Sequence, residues 1–184
     1  MSRDAKPAWR IRLATRVDLP GLRALMTLSI RELLGACLTP PQVEASFEIM
    51  GVDSALIDDG TYFAVEHDGV LVGCGGWGRR ATLFGGDHSN GRDARLLDPA
   101  ADPARIRAMY THPVFARRGI GRLVLAHCEQ AAVDAGFRKF ALVATAAGEP
   151  LYRAAGYEVV DRIDVPTSLG IAVPCANMRK ILPG

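Results

Sequence analysis

A glycine-rich turn at the start of a long helical stretch carries the clearest chemistry in the sequence. Gly119 and Gly121 stand where a strand-like run gives way to the helix, and they are surrounded by Arg117, Arg118 and Arg122. The first N–H groups of a helix have no partners within it and carry partial positive charge, so they attract anions. Glycines let a phosphate approach those amides, and guanidinium groups add donors. The turn predicts a pyrophosphate site, although a tight turn beside solvated arginines would use the same residues.

The segments on either side of this turn predict the elements that hold it in place. A strand is predicted over 106–111, ended by Pro113, and the helix follows over 119–135. The apolar run over 140–144 is typical of a strand that is covered on both faces. Two neighbouring strands joined through a helix run in the same direction, so these two strands are expected to be parallel.

The inward face of the predicted helix follows from apolar residues at helical spacing. This stripe comprises Ile120, Leu123, Val124, His127 and Ala131. His127 is therefore interpreted as a core histidine. Cys128 is expected to point elsewhere on the helix, so the two side chains would not form a nucleophile–base pair.

The other periodic stretches complete an order of βααββ, an irregular excursion, then βαβα and ββ. Strands are predicted at 9–14, 62–66, 70–77, 157–165 and 172–181, and helices at 19–34, at 40–50 and at 150–155. Asp68 and Gly69 predict a tight hairpin, while 78–103 is interpreted as a surface excursion. Pro174 favours an edge position for the last strand, through which a homodimer could form. The order indicates an α/β or α+β protein.

Two motifs, in this order and separation, resemble those of a known family. The run H-P-x-x-x-R-R-G-I-G-R, which begins at His112, is similar to the acetyl-CoA signature of the GNAT N-acetyltransferases, written Gln/Arg-x-x-Gly-x-Gly/Ala. Further on, L-Y-R-A-A-G-Y over 151–157 resembles the family's Tyr-x-x-x-Gly-Phe element. With the hairpin and the N-terminal helices, the resemblance covers nearly the whole chain, as one domain over 9–184. Ala116 departs from the first Gln/Arg of the signature, so weaker pyrophosphate binding is expected there.

The resemblance implies both a fold and a co-substrate. The fold would be α/β (α+β), with a mixed, mostly antiparallel central sheet in which two parallel strands splay apart, flanked by helices. Acetyl-CoA would lie between the strands over 106–111 and 140–144, where its pantetheine arm pairs with the exposed edge of the first strand. A backbone N–H near Met109 or Tyr110 would stabilise the developing oxyanion. The coenzyme contacts would be Met109, Tyr110, Thr111, Arg117, Arg118, Gly119, Ile120, Gly121 and Arg122.

The same resemblance assigns the proton transfers only in part. Tyr152 would be the general acid for the departing thiolate, since a phenol with a free pKa of about 10 is a competent donor. A tyrosine that packs its ring in the core is the structural alternative. The first of the splayed strands contains no glutamate, so the general base stays open. Its candidates, each able to act through water, are Glu66, Asp87, His88 and His112.

These residues predict an N-acetyltransferase that moves an acetyl group from acetyl-CoA to a primary amine by direct attack in a ternary complex. The acceptor is expected to be a small molecule, contacted by the helices over 22–50 and by the excursion over 79–102. The alternative is a CoA-binding sensor or interaction module that keeps the phosphate site and has lost turnover.

Composition excludes two classes of partner and indicates a compartment. Among 184 residues, Lys+Arg 22 against Asp+Glu 20 leave a net charge of only +2, which does not indicate a nucleic-acid partner. No apolar run is long enough to span a bilayer, and the first ten residues do not resemble a signal peptide. A cytoplasmic protein with four reduced cysteines is therefore expected.

Two further motifs are interpreted as structural. The run over 73–78 matches G-x-G-x-x-G letter for letter. It follows a hairpin and no helix can begin cleanly after it, so a nicotinamide site is not expected. Its glycines would instead permit a bulge or a close contact. The four histidines have no metal-ligand spacing with each other or with the cysteines, so no metal site is expected.

Overall fold

The structure is a computed structural model that describes residues 9–90 and 92–183, and its centre is one sheet of seven strands. The strands are β1 (Arg10–Leu13), β2 (Tyr62–His67), β3 (Val70–Gly78), β4 (Ala104–Thr111), β5 (Lys139–Thr145), β6 (Glu158–Val165) and β7 (Val173–Ile181). Their order across the sheet is β1-β2-β3-β4-β5-β7-β6. Every neighbouring pair is antiparallel except β4 and β5, which are parallel. The predicted mixed, mostly antiparallel sheet is confirmed.

Helices cover both faces of this sheet. They are α1 (Leu19–Ser29), which continues as a π-helical turn over Ile30–Leu34, α2 (Pro40–Ile49), α3 (Ser54–Asp58), α4 (Ile120–Asp134) and α5 (Glu149–Ala154). One apolar core packs α4 against the sheet, and a second packs α1 to α3 against the other face. The short helix α3 was not predicted, because five residues are too few to show a helical period. Its sequence signal is the N-cap Asp53, which accepts from the Ala55 N–H at 3.0 Å.

The parallel strands β4 and β5 part after a short ladder. They pair only at Ala104 with Phe140 and at Arg105 with Ala141, whereas β5 continues to pair with β7 along its whole length. From Ile106 onward the edge of β4 that faces β5 has no strand partner there. The splay implied by the resemblance is confirmed, and it opens a gap in the middle of the sheet.

The last strand is not at an edge, so the prediction that its edge serves dimerisation is wrong. Strand β7 pairs with β5 on one side and with β6 on the other, which leaves β1 and β6 as the outer strands. Pro174 is tolerated because it lies second in β7, opposite Asp164, where the β6–β7 connection begins. A proline near a strand start is therefore a weak signal for an edge.

Close packing explains the glycines that match the dinucleotide fingerprint. They lie within β3 and not at a strand-to-helix turn. A Cβ added at Gly73 would overlap Ile120, and one added at Gly75 would lie 2.9 Å from Val124 Cγ1. The ladder to β4 also shifts register between Cys74 and Gly76. Both expectations, a bulge and a close contact, are confirmed, since bare backbone lets α4 lie directly against β3.

The inward face of α4 is rotated slightly from the predicted stripe. The residues it buries are Ile120, Val124, Leu125, Cys128 and Ala132. Cys128 is fully buried, so it lies on a different part of the helix surface from His127, as predicted. His127 is only partly buried, and its Nδ1 lies 2.9 Å from the carbonyl oxygen of Leu123. The ring of His127 is thus held by a contact with the backbone of its own helix, and the side chain that packs in the core is that of Cys128.

Candidate functional site

A cavity of about 880 Å³ lies where β4 and β5 separate. The cavity is lined by the end of α1 with the connection to α2, the end of α2, strand β4, the first turn of α4, and the β5–α5 connection. Val165 of β6 and Cys175 of β7 also contribute. Part of the excursion also reaches it, through Leu83–Gly85. The cavity therefore joins the predicted phosphate turn to the segments that were predicted to contact an acceptor.

The turn into α4 has the geometry of an anion site. Gly119 is the N-cap with φ 91° and ψ 1°, in the left-handed region that favours glycine, and Arg117 before it has φ 64°. The Leu123 N–H donates to the Gly119 carbonyl at 2.9 Å, so the amides of the three intervening residues have no partner within the helix. A Cβ at Gly121 would lie 2.9 Å from Leu151 Cδ2, which means that α5 closes one side of this turn. Space and donors both fit a pyrophosphate.

The predicted arginines divide into two groups. Arg117 and Arg122 line the cavity, as do Gly119, Ile120 and Gly121. Arg118 does not; its guanidinium lies over the ring of Phe115, 5.5 Å from the ring centroid. Stacking on an aromatic ring is a stabilising position for a guanidinium. The two cavity arginines are therefore better placed for phosphate oxygens than Arg118.

A bulge in β4 shapes the middle of the cavity. Ala108 has φ 52°, and its carbonyl accepts a hydrogen bond of 2.8 Å from the Tyr62 hydroxyl. The next three residues, Met109, Tyr110 and Thr111, all line the cavity as predicted for coenzyme contacts. Tyr110 pairs with Cys74 in the β3–β4 ladder, whereas the ladder skips Met109 at the register shift. Of the two predicted oxyanion donors, Met109 is therefore the better placed.

Tyr152 combines burial with access to the cavity. Its side chain is buried in α5 yet is part of the cavity lining, and its ring packs edge-on against Tyr157 with centroids 5.9 Å apart. Burial, followed by the nearby Cys128, raises the pKa of Tyr152 above its ordinary value. The hydroxyl therefore stays protonated at neutral pH, which is the state that a proton donor requires. Both the catalytic and the packing interpretations place the ring here.

The four candidate bases lie outside the cavity lining. Glu66 accepts from Arg12 Nε at 3.0 Å, and Asp87 accepts from the backbone and the hydroxyl of Ser54, both at 2.9 Å. His112 Nδ1 accepts from the Val114 N–H at 3.3 Å, so its lone pair is in use.

His88 differs from His112 because its ring hydrogen bond leaves a nitrogen lone pair free. The ring Nε2 lies 3.2 Å from the Glu48 carbonyl oxygen. A carbonyl only accepts, so Nε2 carries the proton and Nδ1 keeps its lone pair. All four residues stay predictions as bases, and each would need water to reach an amine in the cavity.

Sequence reasoning missed a buried ion pair at the acceptor side. Arg107 of β4 is 6% exposed and donates to Asp53, which is 1% exposed, at 2.5 Å. Asp53 also binds Arg92 of the excursion, while Arg107 donates to the Gly85 carbonyl at 2.8 Å. Burial lowers the pKa of the Arg107 guanidinium, and Asp53 opposes that shift. An arginine within an otherwise half-apolar strand was the available signal.

The described ranges 9–90 and 92–183 contain no group of three His, Cys, Asp or Glu side chains that could hold a metal ion. No helix in these ranges is both long and apolar enough to cross a bilayer. All four cysteines are free, and Cys37 is the exposed one.

Solved structures share this fold at low sequence identity. A GCN5-related N-acetyltransferase from Rhodopseudomonas palustris is 21% identical, with 99% of each chain covered and a TM-score of 0.68. The PaiA N-acetyltransferase of Thermoplasma acidophilum, in complex with coenzyme A, is 14% identical over 95% of this chain and 99% of that one, with a TM-score of 0.61. The yncA protein of Salmonella typhimurium, with acetyl-CoA, is 18% identical over 96% and 95%, with a TM-score of 0.64.

Sequence comparison identifies the family. No curated protein matches the chain significantly. The profile of the acetyltransferase (GNAT) family, however, matches residues 27–157, which run from α1 through the phosphate turn to the end of the Tyr152 motif. With that match over most of its length, the chain belongs to the GNAT acetyltransferase family.

Proposed function

We propose that this protein is an N-acetyltransferase that moves an acetyl group from acetyl-CoA to the primary amine of a small molecule. The observation that carries the proposal is the continuity of one cavity. It runs from the phosphate turn, past Tyr152, to a separate region formed by α1, α2 and the excursion. Two substrates can therefore meet inside one enclosure, as direct transfer in a ternary complex requires.

Different residues of the cavity lining would act at different steps of the reaction. Acetyl-CoA would supply the activated acyl group, and Gly119 to Arg122, with Arg117, would hold its pyrophosphate. The N–H near Met109 would stabilise the oxyanion that forms when the amine attacks the thioester carbonyl. Tyr152 would then donate its proton to the departing sulfur as the carbon–sulfur bond breaks. Each group lines the same cavity, so no rearrangement of the fold is needed to bring them together.

The incoming amine must lose its proton before it attacks. No carboxylate or imidazole of the described residues lines the cavity. An ammonium group that leaves water for an apolar enclosure becomes more acidic, because burial disfavours the charged form. We propose that the amine loses its ammonium proton to water as it enters and attacks as the neutral base. The second proton, released from nitrogen after the attack, passes through water and restores the proton of Tyr152. A water-linked His88 is the alternative within the same mechanism.

Two observations favour a second candidate, the CoA-binding sensor without turnover. Ala116 stands at the Gln/Arg position of the signature, and the cavity lining described above contains no base. A sensor needs only the phosphate turn and would tolerate both features.

Acetyl-CoA, the purified protein and a panel of primary amines separate the two candidates. The enzyme should release free CoA with at least one amine, and mass spectrometry should find the acetylated amine. The sensor should bind acetyl-CoA in calorimetry with no release above the rate without protein. A protein that ignores millimolar acetyl-CoA would contradict both.

A further inference from the structure

We infer that the acceptor is a compact amine on an apolar body that carries no second positive charge. The inference rests on the proposed function and names the substrate class for the same cavity. Four features carry it: the charges of the lining, the engagement of the surrounding carboxylates, the apolar side chains at one end of the cavity, and the cover formed by α2 and the β6–β7 connection.

The charged side chains in the described lining are all positive. They are Arg107, Arg117 and Arg122. The last two belong to the phosphate turn, and Arg107 lies at the opposite end on β4. An amine with a second ammonium group would lie near a buried guanidinium and would find no carboxylate in the described lining to pair with. Like charges in a poorly hydrated site repel strongly, so such acceptors are disfavoured.

Three acidic residues on segments that surround the cavity are engaged elsewhere or face another cavity. Asp53 is shared between two guanidinium groups, those of Arg107 and Arg92. Glu48 accepts from the backbone and the hydroxyl of Ser168 at 2.8 and 2.6 Å. Asp164 is exposed and faces a second, smaller cavity. To pair with a cationic group in the main cavity, Asp53 and Glu48 would have to break their present contacts, and Asp164 would have to turn away from the second cavity.

The acceptor end is lined by apolar side chains. Leu33, Leu34, Ile49, Met50 and Phe84 contribute from α1, α2 and the excursion. Such a surface favours hydrocarbon, because its burial removes apolar area from water. The π-helical turn over Ile30–Leu34 brings both leucines into the lining, and such turns are frequent at functional sites.

The same end is covered by contacts between α2 and the β6–β7 connection. The two Glu48–Ser168 hydrogen bonds join them on the outside. Beneath these bonds, Val165 and Cys175 line the cavity and pack in one cluster with Ala45 of α2. A polypeptide crossing this end would have to separate those contacts. A compact molecule would not.

Three six-carbon amines test the inference, because they match in length and in the reacting group. They are hexylamine, 6-aminohexanoate and 1,6-diaminohexane, compared with acetyl-CoA at one pH. Hexylamine and 6-aminohexanoate should each show a kcat/KM at least about tenfold above that of the diamine, since a 1.4 kcal/mol difference is a factor of ten. A diamine that matches or exceeds hexylamine would overturn the inference while leaving acetyl transfer intact.

A charge introduced at Cys37 gives a matched pair of variants. Cys37 is exposed and lines the cavity, so substitution there should not disturb the core. Cys37→Asp should narrow or invert the preference for hexylamine over the diamine, and Cys37→Ser should leave it unchanged. Equal effects of the two variants would contradict an electrostatic origin.

Binding without turnover separates this test from the test of the function itself. Calorimetry with the protein–CoA complex should show that hexylamine binds more tightly than 1,6-diaminohexane, whether or not acetyl transfer occurs. Tighter binding of the diamine would sink the inference even in an inactive protein. Failure to bind acetyl-CoA at all would instead remove the proposed function on which the inference rests.

Discussion

At the scale of single residues, the hydroxyl of Tyr152 is the group whose chemistry depends most on its surroundings. The ring is held by α5 and by its edge-on contact with Tyr157, while the side chain still forms part of the cavity lining. Burial raises the pKa of Tyr152, so the hydroxyl keeps its proton well above neutral pH. A donor in that state can protonate a thiolate but cannot act as a base.

Tyr152→Phe should lower kcat by about 100-fold and change the KM for acetyl-CoA by less than about twofold, because a general acid acts in the transition state and not in binding. The matched control is Tyr157→Phe, since Tyr157 contacts the same ring from outside the cavity lining. Steady-state rates of the two variants decide the matter. Between pH 7 and 9 the wild-type rate should not fall from loss of the Tyr152 proton, because the pKa is raised. Equal rates for wild type and Tyr152→Phe would remove the assignment.

The sequence pattern was sufficient to propose the phosphate turn and Tyr152 as candidates. It did not indicate the Arg107–Asp53 pair. Glycine and arginine at a strand-to-helix turn have a local physical meaning that does not depend on the rest of the fold. Arg107 and Asp53 are 54 positions apart, and their burial follows from how β4 and α3 meet. This contact depends on tertiary packing, which cannot be deduced from the spacing of residues along the chain.

At the scale of elements, the turn into α4 depends on a backbone conformation. Gly119 has φ 91°, and nothing lies within 4 Å of the position where a Cβ would be. A substitution there would therefore report conformational strain and not a steric clash. The amides that face the cavity belong to the same turn, so strain and anion binding are coupled.

Gly119→Ala should lower the free energy of unfolding by about 1 kcal/mol, the usual cost of a left-handed conformation for a residue with a side chain. Any part of that strain which the free protein relieves by relaxing the turn must be restored on binding, so acetyl-CoA binding should weaken by up to about fivefold. Gly119→Asn is the matched control and should lose less in both measurements, since asparagine tolerates this region better. Urea unfolding and calorimetry measure the two effects. An alanine variant equal to wild type in both would contradict the role of the turn.

The elements themselves were predictable where their periods are long and their turns specific. The extent of the first helix, the Asp68–Gly69 hairpin and the helix over 119–135 agree with the structure to within a few residues. The place of β7 inside the sheet was not predictable, because strand order depends on which strands meet after the β6–β7 hairpin forms. The rotation of α4 has a similar cause. Its inward face is set by the glycines of β3, on which it packs.

At the scale of the whole molecule, Arg107 connects three parts that are distant in sequence. Through Asp53 it binds the N-terminus of α3, and it holds the excursion beside the cavity by donating to the Gly85 carbonyl, while Asp53 binds Arg92 of the same excursion. The pair is almost fully buried, so removing Asp53 leaves the Arg107 charge uncompensated inside the protein. The position of the excursion therefore depends on this one contact more than on any exposed pair.

Asp53→Asn should destabilise the protein by about 3–5 kcal/mol, the usual cost of breaking a buried ion pair, because the Arg107 charge is left unpaired. Adding Arg107→Met to it should cost much less than the sum of the two single changes, because that unpaired charge is then gone. Arg16→Met is the surface control: its partner Asp58 is 47% exposed, so the loss should be far smaller than at the buried pair. Denaturant unfolding of the four variants provides the comparison. Additive losses at 53 and 107 would refute the coupling.

The two-position ladder between β4 and β5 has a mechanical consequence. Strands β1 to β4 form one ribbon and β5 to β7 form another, and the backbone bonds at Ala104 and Arg105 are the hinge between them. A molecule that fills the wedge beyond this hinge braces both ribbons at once. The affinity for the coenzyme and the stability of the fold are then linked, because a ligand that binds only the folded protein stabilises it.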